Sequence, residues 1–420
     1  MKVLIINHNG GSPYHGPNLR TYYAAKSLVS QGHEVSIVAG AYSHKYSNLP
    51  FTNGVVTFEA IDGINYYWVK VVRYQRLLSR IFSHFQFGMN IILKRDKLPA
   101  AADIVIFSGP PPEVFLFSKT LSYLFDAPIC CDVRDLWPLT QLQMSKLHIL
   151  NPYVWFLYFC ERYMFSRSVL IISPLQGLNN YITNKNLAAK VRVIPNGHDA
   201  VTTDKELDNV FLTASASYPH LGITRGERVE LSKFRDRFFI VGYSGSIDRD
   251  NDTESIVLAA LRIQDPDIIF VIIGDGVMKP ALQRLAASSQ NIIFFDRVIA
   301  GQVLNMLAHI DILYCGLRAK SIYRFGASPA KIYEYMAAAK PVIWAVDAYN
   351  DPVFDSGCGF SVQPGDISAI SYAIMDLKRM PSRDRVEMGK RGHAHLLEHY
   401  SYDVLGRQWE NALLEAVDGR

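Results

Sequence analysis

Cysteine is scarce in this sequence, with 5 among 420 residues. Cys130 and Cys131 are adjacent, and Cys160, Cys315 and Cys358 stand alone, so none has the short paired spacing of a structural metal site. This pattern excludes a disulfide framework and indicates buried thiols in a reducing compartment. We therefore expect no metal and no cofactor.

Long apolar runs are missing as well. Near the N-terminus only Val3–Ile6 is continuously apolar, which is too short for the core of a signal peptide. The longest aromatic and apolar run, Tyr153–Cys160, is far below the roughly 18 residues of a membrane span. The expected location is the cytoplasm, either free or peripheral at the inner face of the cytoplasmic membrane.

Neither sign of charge dominates. Lysine and arginine number 43 against 39 aspartates and glutamates, a formal net charge of +4 that is far from what a duplex-binding protein usually carries. We expect no nucleic-acid partner. Hydrophobic residues make up 49% and charged residues 20%, an ordinary globular balance. At about 150 residues per domain the length favours two domains.

What the sequence does contain is an alternation of strand and helix. Lys2–Ile6 is a short apolar run that leads into a glycine-bearing loop, then a helical segment at Asn18–Ser30 and a second strand at Glu34–Val38. The pattern continues through strands at Ile104–Phe107, Ile129–Val133, Val169–Ile172 and Val191–Ile194, with a helix at Glu113–Phe125. This order predicts a parallel α/β sheet.

A second series of the same kind begins at Phe238, after a stretch from Ala200 to about Lys233 that has no sustained pattern. We predict a first domain over residues 1–199, a connection over 200–236, a second domain over 237–400 and a final helix over 401–420. The predicted fold class is α/β, with two Rossmann-like parallel-sheet domains facing across a cleft. Ligands of such sheets bind outside the carboxyl ends of the strands.

A glycine-bearing loop follows the first strand. Gly10 and Gly11 lie between that strand and the first helix, where glycines let backbone N–H groups approach an anion at a helix N-terminus. The alternative is a plain turn. The loop is longer than a strand-to-helix turn needs, which favours a binding function.

The string Arg134-Asp135-Leu136-Trp137-Pro138 directly follows a predicted strand. An acid beside a base, a tryptophan and a proline suits a cleft residue that orients a sugar hydroxyl or stabilises a developing charge. The alternative is a salt-bridged loop in which Trp137 only packs. Asp135 is the candidate catalytic residue.

The segment Phe325–Met336 combines an anion site with a carboxylate. Ser328 and Pro329 suit an N-cap and a first helical position, which places Lys331 in the first turn beside free backbone N–H groups. Glu334 comes three residues later on nearly the same face and can accept two hydrogen bonds from a ribose diol. The alternative is a surface ion pair between Lys331 and Glu334.

The stretch 70–97 is basic and carries one acid, Asp96. Its basic residues are Lys70, Arg73, Arg76, Arg80, Lys94, Arg95 and Lys97. Arg73, Arg76 and Arg80 are predicted to share one helical stripe, and Leu78, Phe82, Phe85 and Met89 recur at helical spacing. The segment fits an amphipathic helix on an anionic membrane surface, or a core-facing helix with a solvated basic face.

Together these segments resemble family 4 glycosyltransferases of the GT-B fold, in the family's order and along nearly the whole chain. The motifs are Gly10-Gly11, Gly32–Val35, Arg134–Pro138, Ile194–Gly197, Gly274–Gly276, Ser328–Met336 and Lys340–Val342. The Arg134–Pro138 string looks most like the bacterial O-antigen and capsule branch, such as the fucosamine transferase type.

The resemblance implies retaining transfer of a sugar from a nucleotide diphosphate sugar, with a UDP-sugar favoured, to a polyprenyl-diphosphate-linked saccharide and without a metal. Glu334 matches the glutamate that binds the ribose, and Lys331 would contact the diphosphate, near Ser328. The backbone near Arg297 and Val298 would face the base. Gly10 and Gly11, on the other domain, would lie against the diphosphate. Asp135 would lie near the reacting sugar. The last helix would cross back onto the first domain.

The sequence departs from the family pattern at three places. Gly326 stands eight positions before Glu334, where the family has its first motif glutamate. The Arg and Lys usual after the first strand of the donor domain are absent, and Ser246 and Arg249 stand in that loop instead. Arg134 precedes Asp135 where many relatives have His. Two alternatives therefore accompany the glycosyltransferase hypothesis: a sugar-nucleotide epimerase of similar shape, and a non-catalytic nucleotide-sugar binding module.

Overall fold

The computed structural model describes residues 1–16, 18–145, 147–185, 187, 189–199 and 210–419. The chain divides into two compact units, one formed by Met1–Pro195 with Tyr402–Arg420 and the other by Asn196–Ser401. Each unit contains a largely parallel sheet, so the predicted α/β class with two parallel-sheet domains is confirmed.

The first unit contains an eight-stranded sheet. Its strands are β1 (Lys2–Asn7), β2 (Glu34–Gly40), β3 (Val56–Ile61), β4 (Ile64–Val69), β5 (Ile104–Ser108), β6 (Ile129–Asp132), β7 (Leu170–Ser173) and β8 (Val191–Val193). Their order in the sheet is β3-β4-β2-β1-β5-β6-β7-β8. Central β1 pairs in parallel with β2 and β5, and its apolar residues are buried, as the continuous hydrophobic run predicts.

One edge of this sheet is a hairpin that the sequence analysis missed. β3 and β4 are antiparallel and are joined by Asp62 and Gly63, which have φ angles of 48° and 80°. Positive φ at both central residues is the geometry of a tight two-residue hairpin, and Asp-Gly is a typical sequence for it. The signal was therefore present in the sequence.

Among the described residues up to Pro195, six α-helices accompany these strands. They are α1 (Arg20–Ser30), α2 (Leu77–Leu93), α3 (Ser118–Phe125), α4 (Leu139–Met144), α5 (Pro152–Arg167) and α6 (Leu178–Thr183). The helix predicted over Glu113–Phe125 differs in its first half, since Pro112–Phe117 is a 3₁₀ segment and the α-helix begins at Ser118.

Helix α2 corrects the prediction for the basic stretch. It begins at Leu77, so Arg73 and Arg76 precede it and do not share a helical stripe with Arg80. One face of α2 is buried through His84, Phe87 and Ile91. The face toward solvent is apolar rather than basic, with Leu78 81% exposed and Phe82 59% exposed.

The second unit contains a six-stranded parallel sheet and a two-stranded ribbon. The ribbon consists of β9 (Phe211–Thr213) and β10 (Arg228–Glu230), and the sheet of β11 (Phe239–Ser244), β12 (Ile268–Ile273), β13 (Ile292–Phe295), β14 (Ile312–Gly316), β15 (Val342–Ala345) and β16 (Gly359–Ser361). The order in the sheet is β13-β12-β11-β14-β15-β16. Every pair in it is parallel.

The helices of this unit surround a core built on the central strands. They are α7 (Ser232–Arg235), α8 (Thr253–Arg262), α9 (Lys279–Leu285), α10 (Val303–Ala308), α11 (Ala330–Ala337), α12 (Pro352–Ser356), α13 (Ile367–Arg379) and α14 (Ser382–His399). The core includes Val241, Phe270 and Ile312 from the strands and Ile256 and Ile374 from the helices, each fully buried.

The predicted connection over 200–236 is wrong for the part that the structure describes. Residues 210–236 belong to the second unit, where the β9–β10 ribbon lies at the β13 edge of the sheet. The Asp296 amide donates to Thr213 O at 3.0 Å and the Ser215 amide donates to Phe294 O at 2.9 Å. Strands of three residues are too short to give a hydrophobic period, which explains the missed assignment. Residues 200–209 lie outside the described part of the chain.

The last helix, α15 (Tyr402–Asp418), belongs to the first unit. Its Leu405, Trp409 and Leu413 are buried in the same core as Leu28 of α1. Gly406 is necessary for this packing, because a Cβ there would lie 1.7 Å from the Ser27 hydroxyl.

Candidate functional site

In the second unit the candidate site is built from loops at the carboxyl ends of β11 and β12. The two loops touch through their backbones. A Cβ at Gly274, whose φ is +141°, would lie 1.9 Å from the Gly245 carbonyl oxygen, and a Cβ at Gly276 would lie 2.4 Å from that of Ile247. These glycines are thus required by loop-to-loop packing, which fixes the shape of the loop after β11.

Lys331 lies against that loop. It is the second residue of α11 and its side chain is 9% exposed. Its Nζ donates to the Tyr243 hydroxyl at 3.0 Å and to Asn251 Oδ1 at 2.8 Å, and it lies 4.6 Å from the centroid of the Tyr243 ring. A Cβ at Gly245 would lie 3.4 Å from Lys331 Cε. The ammonium is therefore buried at the edge of the loop with uncharged partners.

A tyrosine on α11 holds this arrangement in place. The Ser244 amide donates to the Tyr335 hydroxyl at 3.0 Å, and that hydroxyl donates to Ser244 O at 3.1 Å. The end of β11 is thereby joined to the helix that carries Lys331. Tyr243, Asn251 and Tyr335 were missed by the sequence analysis, because their role depends on contacts between segments about 80 to 91 residues apart.

Glu334 lies on the same helix with a half-buried carboxylate. Burial raises the pKa of this carboxyl, and the charge of Lys331 opposes the shift. Within the described part of the chain no residue donates a hydrogen bond to the carboxylate, and the Lys331 ammonium points to Tyr243 and Asn251. The alternative of a surface ion pair between the two residues is therefore wrong.

The loop before α11 is held from two sides. The helix begins at Ala330 with Pro329 as its N-cap, so the predicted N-cap role of Ser328 is wrong by one position. Ser328 Oγ instead lies 2.8 Å from the Tyr333 hydroxyl and accepts from the Asn196 amide at 3.3 Å. Asn350 bonds both the amide and the carbonyl of Ala327.

Gly326, which stands where the family has its first motif glutamate, has a φ of +112°. This backbone conformation favours glycine over any residue with a Cβ. The loop is thus built for glycine at this position.

The other predicted donor residues surround the same strand ends. Ser246 and Arg249 are exposed in the loop after β11, and Arg297 is exposed beside half-buried Val298 after β13. Arg249 and Arg297 make no ion pair with any residue that the structure describes. Lys279 ties the β12 and β13 loops together, since its ammonium donates to Asp275 at 2.8 Å and to Asp296 at 3.0 Å.

In the first unit, a buried ion pair organises the strand ends. The Arg20 guanidinium reaches Asp132 at 3.0 Å and also donates to the carbonyl oxygens of Ile194 and Pro195 at 2.8 Å each. Asp132 accepts a further bond from the Ser108 hydroxyl at 2.7 Å. The carboxyl ends of β5, β6 and β8 are thereby fixed relative to α1.

Asp135, the candidate catalytic residue, follows this cluster on an exposed loop. With Arg134 and buried Trp137 it lines an open pocket, bounded also by Gly109 and Met164. A carboxylate on the wall of an open pocket can orient a hydroxyl of a bound molecule.

Gly10 and Gly11 are buried under two tyrosines. The Tyr46 hydroxyl donates to Gly10 O and the Tyr66 hydroxyl donates to Gly11 O, each at 3.0 Å. The Gly10 amide donates to Asn7 O at 2.9 Å. This amide closes the turn and does not point outward, so at Gly10 the predicted role of a free N–H donor is not met.

A buried polar cluster beside this loop was also missed. His84 Nδ1 lies 2.7 Å from Glu113, which also accepts from the Tyr153 hydroxyl at 3.1 Å. His8 contacts the His84 ring edge-on at 4.7 Å, and burial together with His84 lowers the pKa of His8 to about 3. His8 is therefore neutral at physiological pH. No periodicity in the sequence marks such a cluster.

The described part of the chain contains no group of three or more His, Cys, Asp or Glu side chains that could hold a metal ion. None of the described helices is both long enough and apolar enough to cross a membrane.

Two family matches cover most of the chain. Residues 15–197 match the family described as glycosyl transferase 4-like domain, and residues 239–379 match the family described as glycosyl transferases group 1. The predicted site residues Asp135, Ser246, Arg249, Arg297, Val298, Ser328, Lys331 and Glu334 lie inside these ranges.

One curated relative is a GDP-mannose-dependent monoacylated alpha-(1-6)-phosphatidylinositol monomannoside mannosyltransferase from Corynebacterium glutamicum. It is 29% identical over 150 residues, which is 35% of this chain and 39% of the relative. The matched segment thus spans well under half of either protein.

Solved structures resemble the whole chain in fold. Sucrose-phosphate synthase from Thermosynechococcus elongatus has a TM-score of 0.72 at 14% identity, with 100% of both chains covered. An alpha,alpha-trehalose-phosphate synthase (UDP-forming) from Burkholderia vietnamiensis has a TM-score of 0.69 at 12% identity, also with 100% of both chains covered. HepE from Anabaena in complex with UDP-glucose has a TM-score of 0.65 at 13% identity, with 99% of this chain and 100% of HepE covered.

At such identities the structural likeness shows the fold, while the family matches identify the domains. The chain thus carries a glycosyl transferase 4-like domain over residues 15–197 and a glycosyl transferases group 1 domain over residues 239–379, in the fold of these solved structures.

Proposed function

We propose that this chain transfers a sugar, with retention, from a nucleoside diphosphate sugar to a lipid-linked saccharide, without a metal ion. The observation that carries the proposal is the pair on α11: a buried Lys331 ammonium against the Gly245 loop and a Glu334 carboxylate that accepts no hydrogen bond within the described chain. One group suits a diphosphate and the other a sugar diol, at the spacing of one helical turn.

The Lys331 ammonium meets the main electrostatic demand of the reaction. As the bond between the anomeric carbon and the diphosphate breaks, negative charge grows on the leaving group. A fixed cation in a partly desolvated site stabilises this charge without reorganising when the reaction occurs. The N-terminal end of α11 and the exposed Arg249 add to the positive potential.

In the proposed reaction, an acceptor hydroxyl oxygen forms a bond to the anomeric carbon on the face that the diphosphate leaves. The acceptor proton passes to the departing phosphate oxygen, so atoms and charge balance. Asp135 is proposed to orient the acceptor, and Gly11, Arg297, Val298 and Ser328 to contact the donor. Bacterial O-antigen or capsule synthesis is the proposed setting, on the evidence of the Arg134–Pro138 string.

Among possible bases we propose uridine first. HepE was solved with UDP-glucose, and the trehalose-phosphate synthase is named as UDP-forming. The curated relative is named as GDP-mannose-dependent, which makes guanosine the second candidate.

A thermal-shift panel with UDP, GDP, dTDP and CMP, all in excess EDTA, tests the donor and metal proposals together. A ligand at 100 times its dissociation constant stabilises the folded state by about 2.7 kcal/mol, which for a unit of some 200 residues corresponds to roughly 5 to 11 °C. We expect UDP to give a shift of this size in wild type and a much smaller one in Glu334→Ala. Phe354→Ser, on an exposed side chain of α12, is the matched control.

No shift with any nucleotide would contradict the donor site. A shift that requires added Mg²⁺ would contradict metal independence. A normal shift without transfer to any acceptor would favour the non-catalytic binding module, and conversion of the donor without an acceptor would favour the epimerase.

We further propose that the first unit approaches an anionic membrane surface through residues 70–97. The exposed face of α2 carries Leu78, Phe82, Met89 and Leu93, with exposed fractions of 81%, 59%, 48% and 65%. Lys70, Arg73 and Arg76 precede the helix, and Lys94 and Lys97 follow it. Apolar side chains flanked by cations fit the interface of a bilayer with anionic headgroups.

Co-sedimentation with vesicles tests the membrane proposal. The Leu78→Ser/Phe82→Ser variant is expected to lose at least about tenfold in affinity for vesicles containing 30% phosphatidylglycerol, since each lost side chain removes about 1.5 to 3 kcal/mol of burial. Phe354→Ser, an equally exposed phenylalanine of the second unit, should bind as wild type does. Equal binding by all three proteins would overturn the proposal.

A further inference from the structure

The wall of the pocket beside Asp135 carries one arginine, Arg134, together with the acids Asp132, Asp135 and Glu161. Its acids other than Asp135 already have cationic partners: Asp132 is paired with Arg20, and Glu161 is paired with Lys185. Glu161 also accepts from the Tyr181 hydroxyl at 2.6 Å. Arg20 and Lys185 thus satisfy two of the three carboxylates, and Arg134 is the cation of the pocket wall that neither of them engages.

Arg134 is this cation. Its Nε is buried and donates to no atom of the described chain, and its guanidinium forms no ion pair there. The buried N–H of a charged group without an acceptor is costly. Gly109 makes room for it, since a Cβ at that position would lie 2.1 Å from Arg134 Nη2. The backbone thus makes room for an arginine whose donors have no acceptor among the described residues.

Arg80 is a second cation without a carboxylate partner, and it lies next to the pocket. Its guanidinium carbon lies 5.7 Å from the ring centroid of Trp137, which lines the same pocket as Arg134. Arg80 makes no ion pair with any carboxylate in the residues that the structure covers. The pocket wall therefore carries one unpaired guanidinium, that of Arg134, and a second guanidinium, that of Arg80, lies at the Trp137 ring.

We propose that Arg134 and Arg80 bind the phosphoryl group of the acceptor, whose sugar lies against Trp137. This inference rests on the proposed function and specifies its acceptor as a sugar esterified directly to phosphate. The planar fork of arginine matches the oxygens of a phosphoryl group. Because Arg134, Asp135 and Trp137 line the same pocket, a phosphoryl group on Arg134 brings the attached sugar to the wall that carries Asp135. The first sugar on the phosphate, rather than a distal one, is then the acceptor.

Equilibrium binding tests the subsite without relying on turnover. N-acetylglucosamine 1-phosphate and its uncharged methyl glycoside are titrated by calorimetry into wild type, Arg134→Gln, Arg134→Lys, Lys331→Met and, as a matched control, Arg162→Ala, an exposed arginine of α5. We expect the phosphate ester to bind wild type at least tenfold more tightly than the glycoside. Arg134→Gln should lose this preference, Arg134→Lys should retain part of it, and Arg162→Ala and Lys331→Met should keep it.

Two results would overturn the proposal. One is equal affinity of wild type for the ester and the glycoside. The other is a preference that survives Arg134→Gln but disappears in Lys331→Met, because the phosphate would then occupy the donor site. Neither of these two results depends on sugar transfer. Failure of the proposed function gives a different result: the protein binds the phosphate ester but binds no nucleotide.

A second arm distinguishes the source of the phosphoryl group. Transfer is measured to a farnesyl-diphosphate-linked N-acetylglucosamine and to the soluble 1-phosphate. Arg134→Gln is expected to lower kcat/KM about 10- to 100-fold for whichever of them wild type uses, consistent with the loss of a charge-assisted bidentate contact. A larger kcat/KM for the farnesyl compound assigns the subsite to a lipid-linked diphosphate, and the reverse assigns it to a free sugar phosphate. An unchanged kcat/KM in Arg134→Gln would contradict the subsite.

Discussion

Replacing Lys331 by methionine is expected to lower kcat for sugar transfer by about 10²- to 10³-fold, the usual effect of removing one preorganised group that stabilises developing negative charge. Methionine keeps the length and the apolar stem of lysine but removes the ammonium at the Gly245 loop. The measurement is steady-state transfer from the nucleotide sugar, with kcat and KM determined separately. We expect kcat to fall more than KM rises, since the charge to be stabilised grows only as the leaving group departs.

The same substitution should leave the protein folded. Lys331 is buried with two uncharged hydrogen-bond partners and no ion pair among the described residues, so its ammonium is desolvated without a compensating carboxylate. Removing such a charge is neutral or stabilising, within about 1 to 2 kcal/mol. A stable, inactive variant is the signature of a group retained for function rather than for folding.

Lys340→Met is the matched control for this variant. Lys340 lies just beyond α11, donates to Ala308 O at 2.6 Å, and has a pKa lowered to about 8 by burial. It is a half-buried lysine that lies outside the proposed site. Transfer by Lys340→Met should remain near the wild-type rate. Wild-type turnover in Lys331→Met, or an equal loss in both variants, would contradict the role assigned to Lys331.

The strands of both sheets and the pair on α11 could be predicted because they are local signals. The continuous apolar run Lys2–Ile6 places β1 within one residue of its observed end. Lys331 and Glu334 are three residues apart, so the helical repeat alone puts them on one face. The helix predicted to start at Pro329 begins one residue later, at Ala330.

What the sequence could not predict is which of these side chains are left without a partner. Arg134 and Asp135 are adjacent, which suggested a salt-bridged loop, yet no ion pair joins them among the described residues. Arg20 neutralises Asp132 across 112 residues, and Tyr243 and Asn251 orient Lys331 across 88 and 80 residues. Such pairings depend on the order of strands in the sheet, and no periodicity in the sequence records them.

Substituting Gly274 by alanine is expected to destabilise the protein by about 2 to 4 kcal/mol and to weaken nucleotide binding. Its φ of +141° is a conformation that L-residues adopt only with strain of about 1 to 3 kcal/mol. The new methyl group would also lie 1.9 Å from the Gly245 carbonyl oxygen, which belongs to backbone and cannot rotate away. The loop after β11 must then move, and with it the surface that faces Lys331.

Calorimetry with and without UDP measures both effects in one experiment. A loss of 3 kcal/mol corresponds to a fall of roughly 6 to 12 °C in Tm for a unit of this size, and the increase of Tm on adding UDP should shrink at the same time. Gly301→Ala is the control, because nothing lies within 4 Å of a Cβ there, and it should change stability by less than about 0.5 kcal/mol. A destabilised Gly274→Ala that still shows the full wild-type shift with UDP would mean that the loop's shape matters for folding alone, and the nucleotide would have to be held by contacts other than the Gly245 backbone.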